Sequence, residues 1–390
     1  MTMTTDLLAD TVERARALVP TLRERAQETE DLRRLPDASV ADLDALGLLG
    51  IATPRELGGG NVGADGIIDI CLELGRGSGA VAWVGGNFAV HNLLMSMFPQ
   101  EAQQDVFGAA AGRMPRVATG FSPLRGQTVP ADGGARVSGQ WDFVSGVDHA
   151  DWVIVMAMSP EGPLAHLVPQ ADLTVIDTWH TSGLRGTGSK DVGAQDLFVP
   201  QHRILNMIPP TEGQSIGREL YDLAWLRVPM SSFFGAGVVS TVLGTARGAL
   251  EVFVERTSGN VGGLSGVKVS ARPEIAHKLG ESAADIDGAE AALRASYADM
   301  RAAAESDRPI TMDDRLRWRR DAAWCAKVAT GAVRRLYEVG GAHVLFVGDQ
   351  LDQFQRDNVA ASHHYGMAWD TLFAGYGRSM LGQEAGVAMV

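Results

Sequence analysis

The sequence of 390 residues has few cysteines and no long apolar run. Its two cysteines, Cys71 and Cys325, lie far apart in apolar segments without metal-type spacing, so we expect reduced core residues and no metal site. No stretch of about 18 uninterrupted apolar residues occurs, which argues against a membrane-spanning helix. Residues 1–36 mix acidic and basic side chains and lack the layout of a signal peptide. These absences predict a cytoplasmic protein with no membrane segment.

Basic charge is also in short supply. There are 34 lysines and arginines against 47 aspartates and glutamates, which gives a formal net charge of −13. The Arg-rich stretch at residues 315–320 is short and lies among acidic residues, so we expect no binding to nucleic acid. Apolar residues make up 45% of the chain, which is enough to build a sizeable core.

What is present falls into three zones, which we interpret as domains at 1–114, 115–215 and 216–390. The first zone has a helical pattern of apolar residues. The second has short β-branched and aromatic runs between Gly, Pro and Asp turns, which predict an antiparallel β domain of about seven strands. The third returns to a helical pattern, and it predicts a bundle of long antiparallel helices at 227–256, 270–304, 312–338 and 350–382.

Four segments in these zones resemble motifs of the acyl-CoA dehydrogenase fold, and they occur in the same order. They are GIATPRELGGGNVG (50–63), FSPLRG (121–126), GQWDFVSGVDHADWVIVMA (139–157) and HTSGLRGTGSKDVGAQDLFVP (180–200). The resemblance implies an α+β, multi-layer fold. It would have an N-terminal helical domain, a central antiparallel β-barrel or sandwich domain, and a C-terminal four-helix bundle.

Within that fold, FVSGVDHADW and a late RD followed by His resemble the flavin-dependent monooxygenases of two-component systems (group D). The resemblance implies reduced FAD or FMN, supplied by a separate NAD(P)H-dependent flavin reductase, and O2 as co-substrate. It implies hydroxylation, through a flavin C4a-hydroperoxide, of a small electron-rich aromatic or heteroaromatic substrate of the phenol, indole or polyketide type. N-oxygenation of an amino sugar is the alternative within the family. A homotetramer or a dimer is the expected assembly.

The late histidine lies in QRDNVAASHHYGMAW (355–369). If this stretch is helical, Asp357 and His364 share one face, while His363 points about 100° away. The resemblance selects His364, which lies eight positions after Arg356. A neutral imidazole with a pKa near ~6.5 could take a phenol or N–H proton, or hydrogen-bond a peroxide. A merely structural histidine is the alternative.

His91 is a second catalytic candidate. It lies on a largely apolar helix, where a lone histidine is more often a core residue with one hydrogen bond. The resemblance allows it to face the substrate chamber, so both interpretations stay open. The same chamber would be kept dry by apolar side chains, and the expected substrate-binding residues are His91, Phe121, Trp369 and Phe373.

The expected cofactor site combines hydroxyls, aromatic rings and cations. Ser145 ends a strand, and the resemblance assigns its hydroxyl to the N5/O4 edge of the flavin, which makes it a third catalytic candidate. Otherwise it satisfies a turn. The Gly-rich loop 181–191 could approach a phosphate with its backbone N–H groups, or it could be a plain hairpin. The cofactor-binding residues that we expect are Phe121, Ser122, Ser145, Trp179, Arg185 and Arg256.

The chain differs from many acyl-CoA dehydrogenases at the position of the catalytic carboxylate. Many of those enzymes carry a catalytic Glu after the RD segment, whereas here Asp370 is the only acid between Asp357 and Glu384. Loss of such a base would slow α-proton abstraction severely. Some dehydrogenases place the base on an earlier helix, so Glu251 or Glu255 keeps this alternative open, as does a non-catalytic flavin-binding protein.

Overall fold

The computed structural model describes residues 2–109, 112–259, 268–306 and 308–387. Within these ranges six α-helices come first: α1 (Thr2–Glu24), α2 (Ala26–Leu32), α3 (Asp37–Leu46), α4 (Ala64–Gly75), α5 (Gly79–Met95) and α6 (Gln100–Gly108). Helix α5 consists almost entirely of small and apolar residues, so it is buried on all sides at the centre of this layer. The Ser78 hydroxyl caps it by accepting from the Val81 N–H.

The central segment forms one sheet. Its strands are β1 (Val117–Gly120), β2 (Gly126–Ala131), β3 (Gly134–Val144), β4 (Trp152–Ser159), β5 (Gly162–Pro169), β6 (Thr174–Ile176), β7 (Lys190–Pro200) and β8 (Ile204–Asn206). The order is β6-β7-β3-β2-β4-β5-β8, and β1 pairs with β4. Most neighbours are antiparallel, but β4 runs parallel to β1 and β2. The expectation of a wholly antiparallel domain is corrected here, because β4 pairs with the far edge of β2 instead of with β3.

Three short helices, a four-helix bundle and one further helix follow in the described ranges, in this order. The short elements include α7 (Ile208–Thr211), α8 (Gly217–Leu220) and α9 (Met230–Phe233), and the bundle contains α10 (Ala236–Gly259), α11 (Pro273–Glu305), α12 (Met312–Glu338) and α13 (Gln350–Ser362). The helix after the bundle, α14 (Trp369–Met380), packs against α12. The segment Met230–Ser258 is apolar enough to cross a membrane by composition, but 78% of its most apolar window is buried inside the protein.

The bundle joins the N-terminal helices through close backbone contact. Helix α10 packs against both α4 and α5. At the crossing with α5, a Cβ atom on Gly86 would lie only 2.8 Å from the Cα of Gly237. Both glycines are therefore needed for the approach of the two helices, which both contribute to one continuous apolar core.

The last predicted helix is interrupted, which corrects the prediction of one helix over 350–382. Helix α13 ends at Ser362, where the N–H groups of His363 and His364 bond back to Ala360 and Ala361 and tighten the final turn. His364 then adopts φ −59° and ψ 136°, which no helix continues. The next α-helix begins only at Trp369. The side chain of His364 is thus directed by a turn and not by a helix face.

Candidate active site

Ser145 follows an irregular end of strand β3. The pairing of β3 with β7 shifts register between Trp141 and Val144, and Phe143 adopts φ 61°. A bulky residue rarely occupies this left-handed region, and such strain is concentrated at functional sites. The bulge leaves the Phe143 side chain 67% exposed, whereas Ser145 is buried. The chain therefore places an outward aromatic ring beside an inward hydroxyl.

The Ser145 hydroxyl belongs to a chain of hydrogen bonds whose direction can be worked out. Trp83 Nε1–H donates to Ser145 Oγ at 2.9 Å, Ser145 Oγ lies 2.7 Å from Ser189 Oγ, and Ser189 Oγ lies 2.7 Å from Thr187 Oγ1. Thr187 donates its proton to the Leu184 carbonyl at 2.9 Å. Because each hydroxyl has one proton, Ser189 must donate to Thr187 and Ser145 must donate to Ser189. Ser145 can therefore only accept a further hydrogen bond.

Asp357 anchors the loop that carries this chain. Its Oδ1 accepts from the Leu184 N–H at 2.6 Å. Burial raises the pKa of Asp357 to about 7, against the effects of this bond and of Arg356. A Cβ atom on Gly183 would overlap the Arg356 carbonyl oxygen, so this glycine lets the loop lie on the backbone of α13. The sequence suggested a phosphate role for the loop, but at Gly183 the structure uses glycine for packing.

A cavity lies between the loop after β1, the segment around α9 and the bundle, next to His364. Its water-sized space is about 30 Å³, within an envelope of about 470 Å³ that includes open solvent. Phe121 is central to its wall, with ring centroids 5.0 Å from Phe234 and 6.3 Å from Tyr365. The lining is Phe121, Met230, Ser231, Ser232, Phe234, Gly235, Tyr297, Arg319, Ala322, His364, Tyr365, Gly366 and Met367.

His364 lines this cavity and contacts the Ser145 group through Trp83, whose ring lies edge-on at 5.5 Å. The Gly366 N–H donates to His364 Nδ1 at 3.1 Å, which assigns the proton of the neutral ring to Nε2. Loss of hydration, reinforced by the charge of Arg319, lowers the pKa of His364 from 6.5 to about 4. The expectation of an imidazole near its ordinary pKa is corrected. At neutral pH His364 is a hydrogen-bond donor and a weak base.

His91 has the opposite tautomer. Its Nδ1 lies 2.7 Å from the Val117 carbonyl, so Nδ1 carries the proton and Nε2 is the acceptor. Burial lowers its pKa to about 4. The ring lies 5.6 Å from Phe234 and does not itself line the cavity. Phe234 therefore separates His91 from the space that Phe121 and His364 enclose.

The other expected residues are spread more widely. Trp179 lies edge-on to Phe143 with 6.2 Å between ring centroids, and Ser122 precedes the short turn after Phe121. The Arg185 guanidinium donates to the carbonyls of Glu30 and Thr181, at 3.3 and 3.4 Å. The exposed ring of Phe143, which shortly precedes Ser145 in the chain, and the half-buried ring of Trp179 form a suitable surface for a flat polar ring such as flavin.

Three expected residues lie away from this cavity. Phe373 is on α14, where it faces Lys327 and lines an outer groove. Trp369 begins the same helix and is absent from the cavity wall, because the break after α13 moves both residues onto a separate element. Arg256 forms an ion pair with Asp349 at the N-terminal end of α13, whereas His364 lies beyond its C-terminal end.

Sequence reasoning missed part of the site. Trp83 looked like a core residue of the apolar helix α5, and nothing local marked it. Arg319 lies in the Arg-rich stretch 315–320, which we considered only for nucleic-acid binding, and it is half-buried like two other arginines of this stretch, so nothing singled it out. Ser231 and Ser232 follow a proline in an apolar run and gave no signal.

Carboxylates are missing from the cavity wall in the part of the chain that the structure describes. Glu251 instead pairs with Arg23 at 2.6 Å and with Arg76 at 2.7 Å on the outside of α10. Glu255 is 66% exposed and contacts Arg23. Neither glutamate is available as a base in this cavity. Likewise, the described residues contain no group of three or more His, Cys, Asp or Glu that could hold a metal ion.

Comparison with known proteins identifies the family. Two family models match, "Acyl-CoA dehydrogenase, N-terminal domain" over residues 5–111 and "Acyl-CoA dehydrogenase, C-terminal domain" over 236–369. The chain is 32% identical to the flavin-dependent monooxygenase oxygenase subunit HsaA of Rhodococcus jostii (strain RHA1), over 95% of this chain and 98% of that protein. It is also 32% identical to the FADH(2)-dependent resorcinol hydroxylase oxygenase component of Rhizobium sp. (strain MTP-10005), over 96% and 94%.

Solved structures agree with this assignment. XiaF from Streptomyces sp., in complex with FADH2 and glycerol, superposes with a TM-score of 0.89 at 29% identity, over 99% of this chain and 98% of that one. The 3-HSA hydroxylase from Rhodococcus sp. RHA1 gives a TM-score of 0.87 at 30% identity, over 97% and 98%. The chain belongs to the acyl-CoA dehydrogenase family, and within it to the flavin-dependent monooxygenases that act as the oxygenase component of two-component systems.

Proposed function

We propose that this monooxygenase hydroxylates a small electron-rich aromatic molecule, with a phenol as the preferred class. It would work in the cytoplasm with reduced FAD or FMN from a separate reductase. The observation that carries the proposal is the bridge from Ser145 through Trp83 to His364, at the edge of an aromatic cavity. The names of the relatives, which include a resorcinol hydroxylase and a p-hydroxyphenylacetate 3-hydroxylase, support an aromatic substrate.

Ser145, Phe143 and Trp179 are the residues that we expect to hold the flavin ring, with Phe121 and Ser122 on the neighbouring loop. When bound, reduced flavin supplies the electrons that activate O2 as a donor of an electrophilic oxygen atom. Ser145 can accept but not donate a further hydrogen bond. This suits the N–H group that reduced flavin carries at N5 and that oxidised flavin lacks. Ser145 would therefore favour the reduced cofactor.

His364 and the aromatic wall would act on the oxygen side of the reaction. With its proton on Nε2, His364 can donate a hydrogen bond to a negatively charged oxygen without changing its own protonation. Phe121 and Phe234 would orient a flat substrate and exclude water from the reacting atoms. His91, with Nε2 as an acceptor, would contribute only if the Phe234 ring moves aside.

The assembly that we propose is a homotetramer or a dimer formed through the C-terminal bundle. Large apolar side chains are exposed there, at Leu345 (74%), Phe346 (66%) and Val347 (94%). Such a cluster next to Asp349, the ion-pair partner of Arg256, is typical of a protein–protein contact. Arg256 could then serve a flavin bound to the neighbouring subunit. Sedimentation equilibrium tests this, and a monomer at all micromolar concentrations would exclude it.

The function is tested by supplying reduced flavin from an unrelated flavin reductase and screening phenols, indoles and amino sugars. Product and hydrogen peroxide are both measured for each NADH consumed. We expect hydroxylated phenols, and products from amino sugars alone would replace this proposal by N-oxygenation.

His364→Ala should lower product yield at least about tenfold while flavin still binds, because the donor to oxygen is lost. His363→Ala is the matched control, since its ring is exposed and, within the described part of the chain, is hydrogen-bonded to the Val359 carbonyl of its own helix. Equal yields from the two variants would remove His364 from the mechanism.

A further inference from the structure

Besides His364 and two tyrosines, the cavity wall contains three polar side chains, those of Ser231, Ser232 and Arg319. Ser231 and Ser232 are buried, with 3% and 6% of their surface exposed. Neither hydroxyl has a hydrogen-bond partner among the described residues. Buried hydroxyls without partners are uncommon and each requires an explanation. Because both line the cavity, a ligand in it is the simplest partner.

Arg319 is the third polar group. It extends from α12, and its Nη1 donates to the Ser231 carbonyl at 2.8 Å, which ties the guanidinium to the short helix α9 that carries both serines. Its charge acts on other groups of the cavity, since it lowers the pKa values of both His364 and Tyr365 relative to what burial alone would give. A substrate hydroxyl in the same space would experience the same field.

The positive charge of Arg319 would also affect whether a bound phenol keeps its proton. An electrophilic oxygen is accepted more readily by a phenolate than by a phenol, because the ring is richer in electrons. His364 is a poor candidate for removing the phenol proton, since its free nitrogen already carries a proton and its pKa is about 4. A nearby cation achieves the same result by stabilising the anion.

We propose that Arg319, together with the hydroxyls of Ser231 and Ser232, selects phenols and holds them as phenolates in the cavity. This inference rests on the proposed function and specifies its substrate class. On binding, the phenol O–H bond breaks, its electron pair stays on oxygen, and the proton leaves to solvent. No oxidant or further reactant is needed for this step. Arg319 is thereby a specificity-determining residue that touches the substrate oxygen.

The test uses the full-length protein without flavin and 4-nitrophenol as the probe, because its ionised form is coloured. Absorbance of the bound probe is titrated against pH for the wild type, Arg319→Lys, Arg319→Met and Arg320→Met. Arg320 is the matched control, since its guanidinium stacks on Tyr376 outside the cavity. Thermal melting of each variant verifies that it is folded, and Arg319→Lys keeps the charge should Arg319→Met fail to fold.

We expect the bound probe to ionise at a pH about 1–3 units lower in the wild type than in Arg319→Met, as for an acid beside a cation. Arg320→Met should match the wild type, and Arg319→Lys should lie between the wild type and Arg319→Met. Ser231→Ala and Ser232→Ala should each weaken binding of the probe by about tenfold or less. Identical ionisation in all variants would overturn the proposal, and so would failure of the wild type to bind millimolar probe.

Two further outcomes separate this inference from the proposed function. If phenols are hydroxylated but ionisation of the probe does not depend on Arg319, the inference fails and the hydroxylase remains. If the probe responds to Arg319 but no phenol is hydroxylated, the proposed function fails and the phenolate site remains. Displacement of the probe by 4-nitrobenzoate, with no Arg319-dependent ionisation, would mean that the cavity recognises a carboxylate and would overturn the phenolate assignment.

Discussion

The raised pKa of Asp357 makes a quantitative prediction about stability and pH. Its value moves from 3.8 to about 7 because the carboxyl group is buried. Between these values the unfolded chain has lost the proton while the folded protein still holds it. The folded state therefore binds more protons in this window, and the free energy of unfolding falls as pH rises.

The magnitude follows from about 1.4 kcal/mol for each pH unit. Relative to a protonated carboxyl, the cost to the folded state is about 2 kcal/mol at pH 5 and about 4 kcal/mol at pH 8. Asp357→Asn keeps an oxygen for the Leu184 N–H and cannot ionise. We subtract the free energy of unfolding of the wild type from that of the variant. This difference should be about 2–3 kcal/mol larger at pH 8 than at pH 5.

The assay is urea unfolding followed by tryptophan fluorescence, at one protein concentration and at both pH values. The control is Asp352→Asn, which removes a partly exposed carboxylate from the same helix and breaks its ion pair with Arg356. Because the charges of Asp352 and Arg356 have opposite effects on the pKa of Asp357 and are smaller causes than burial, the effect of this control should change far less between pH 5 and pH 8. Histidines with lowered pKa values, such as His91 and His364, change stability in the opposite sense, but they are common to all three proteins and cancel in the differences. A difference for Asp357→Asn that is constant with pH would refute the reasoning.

Three other predictions concern the site. Ser145→Ala should reduce the preference for reduced over oxidised flavin by about tenfold or less, because a hydrogen-bond acceptor is lost. Equilibrium binding of both flavin forms measures this preference, and an unchanged ratio of the two affinities would return Ser145 to a structural role. Gly183→Ala should push the loop away from the Arg356 carbonyl, lower the melting temperature and increase the hydrogen peroxide formed for each O2 consumed; wild-type coupling would contradict this. Glu251→Gln should leave kcat/KM for hydroxylation within about twofold and cost about 1 kcal/mol or less of stability; loss of activity with normal flavin binding would revive the dehydrogenase alternative.

The sequence predicted the broad architecture well because periodicity is local information. The helical, β and helical zones were evident from the spacing of apolar residues. The motifs around Ser145 and the RD segment led to the family that the comparisons then identified. The same local information could not predict that β4 would run parallel to β2, because strand order depends on which sheet edge the chain returns to.

For single residues too, the sequence predicted the position of a site histidine but not its protonation. The family resemblance selected His364, and the structure places it in the cavity wall. Its role as a base was inferred from the ordinary pKa of imidazole, whereas the actual proton position depends on the Gly366 N–H and on the field of Arg319. Trp369 and Phe373 were expected nearby because they are close in sequence, but a turn of a few residues moved them to another helix.

By itself, then, the sequence determined the kind of protein: which segments are helices and strands, which family they form, and which serine and histidine to examine. Only the tertiary structure decided the chemistry of the cavity. It brought Trp83 between Ser145 and His364, and it set the direction of each hydrogen bond. It also placed Arg319 beside two buried serines that lie more than eighty residues away in the chain. The physical reason is that protonation, field and solvent access are properties of groups in contact, and contacts between distant segments exist only after the layers have packed.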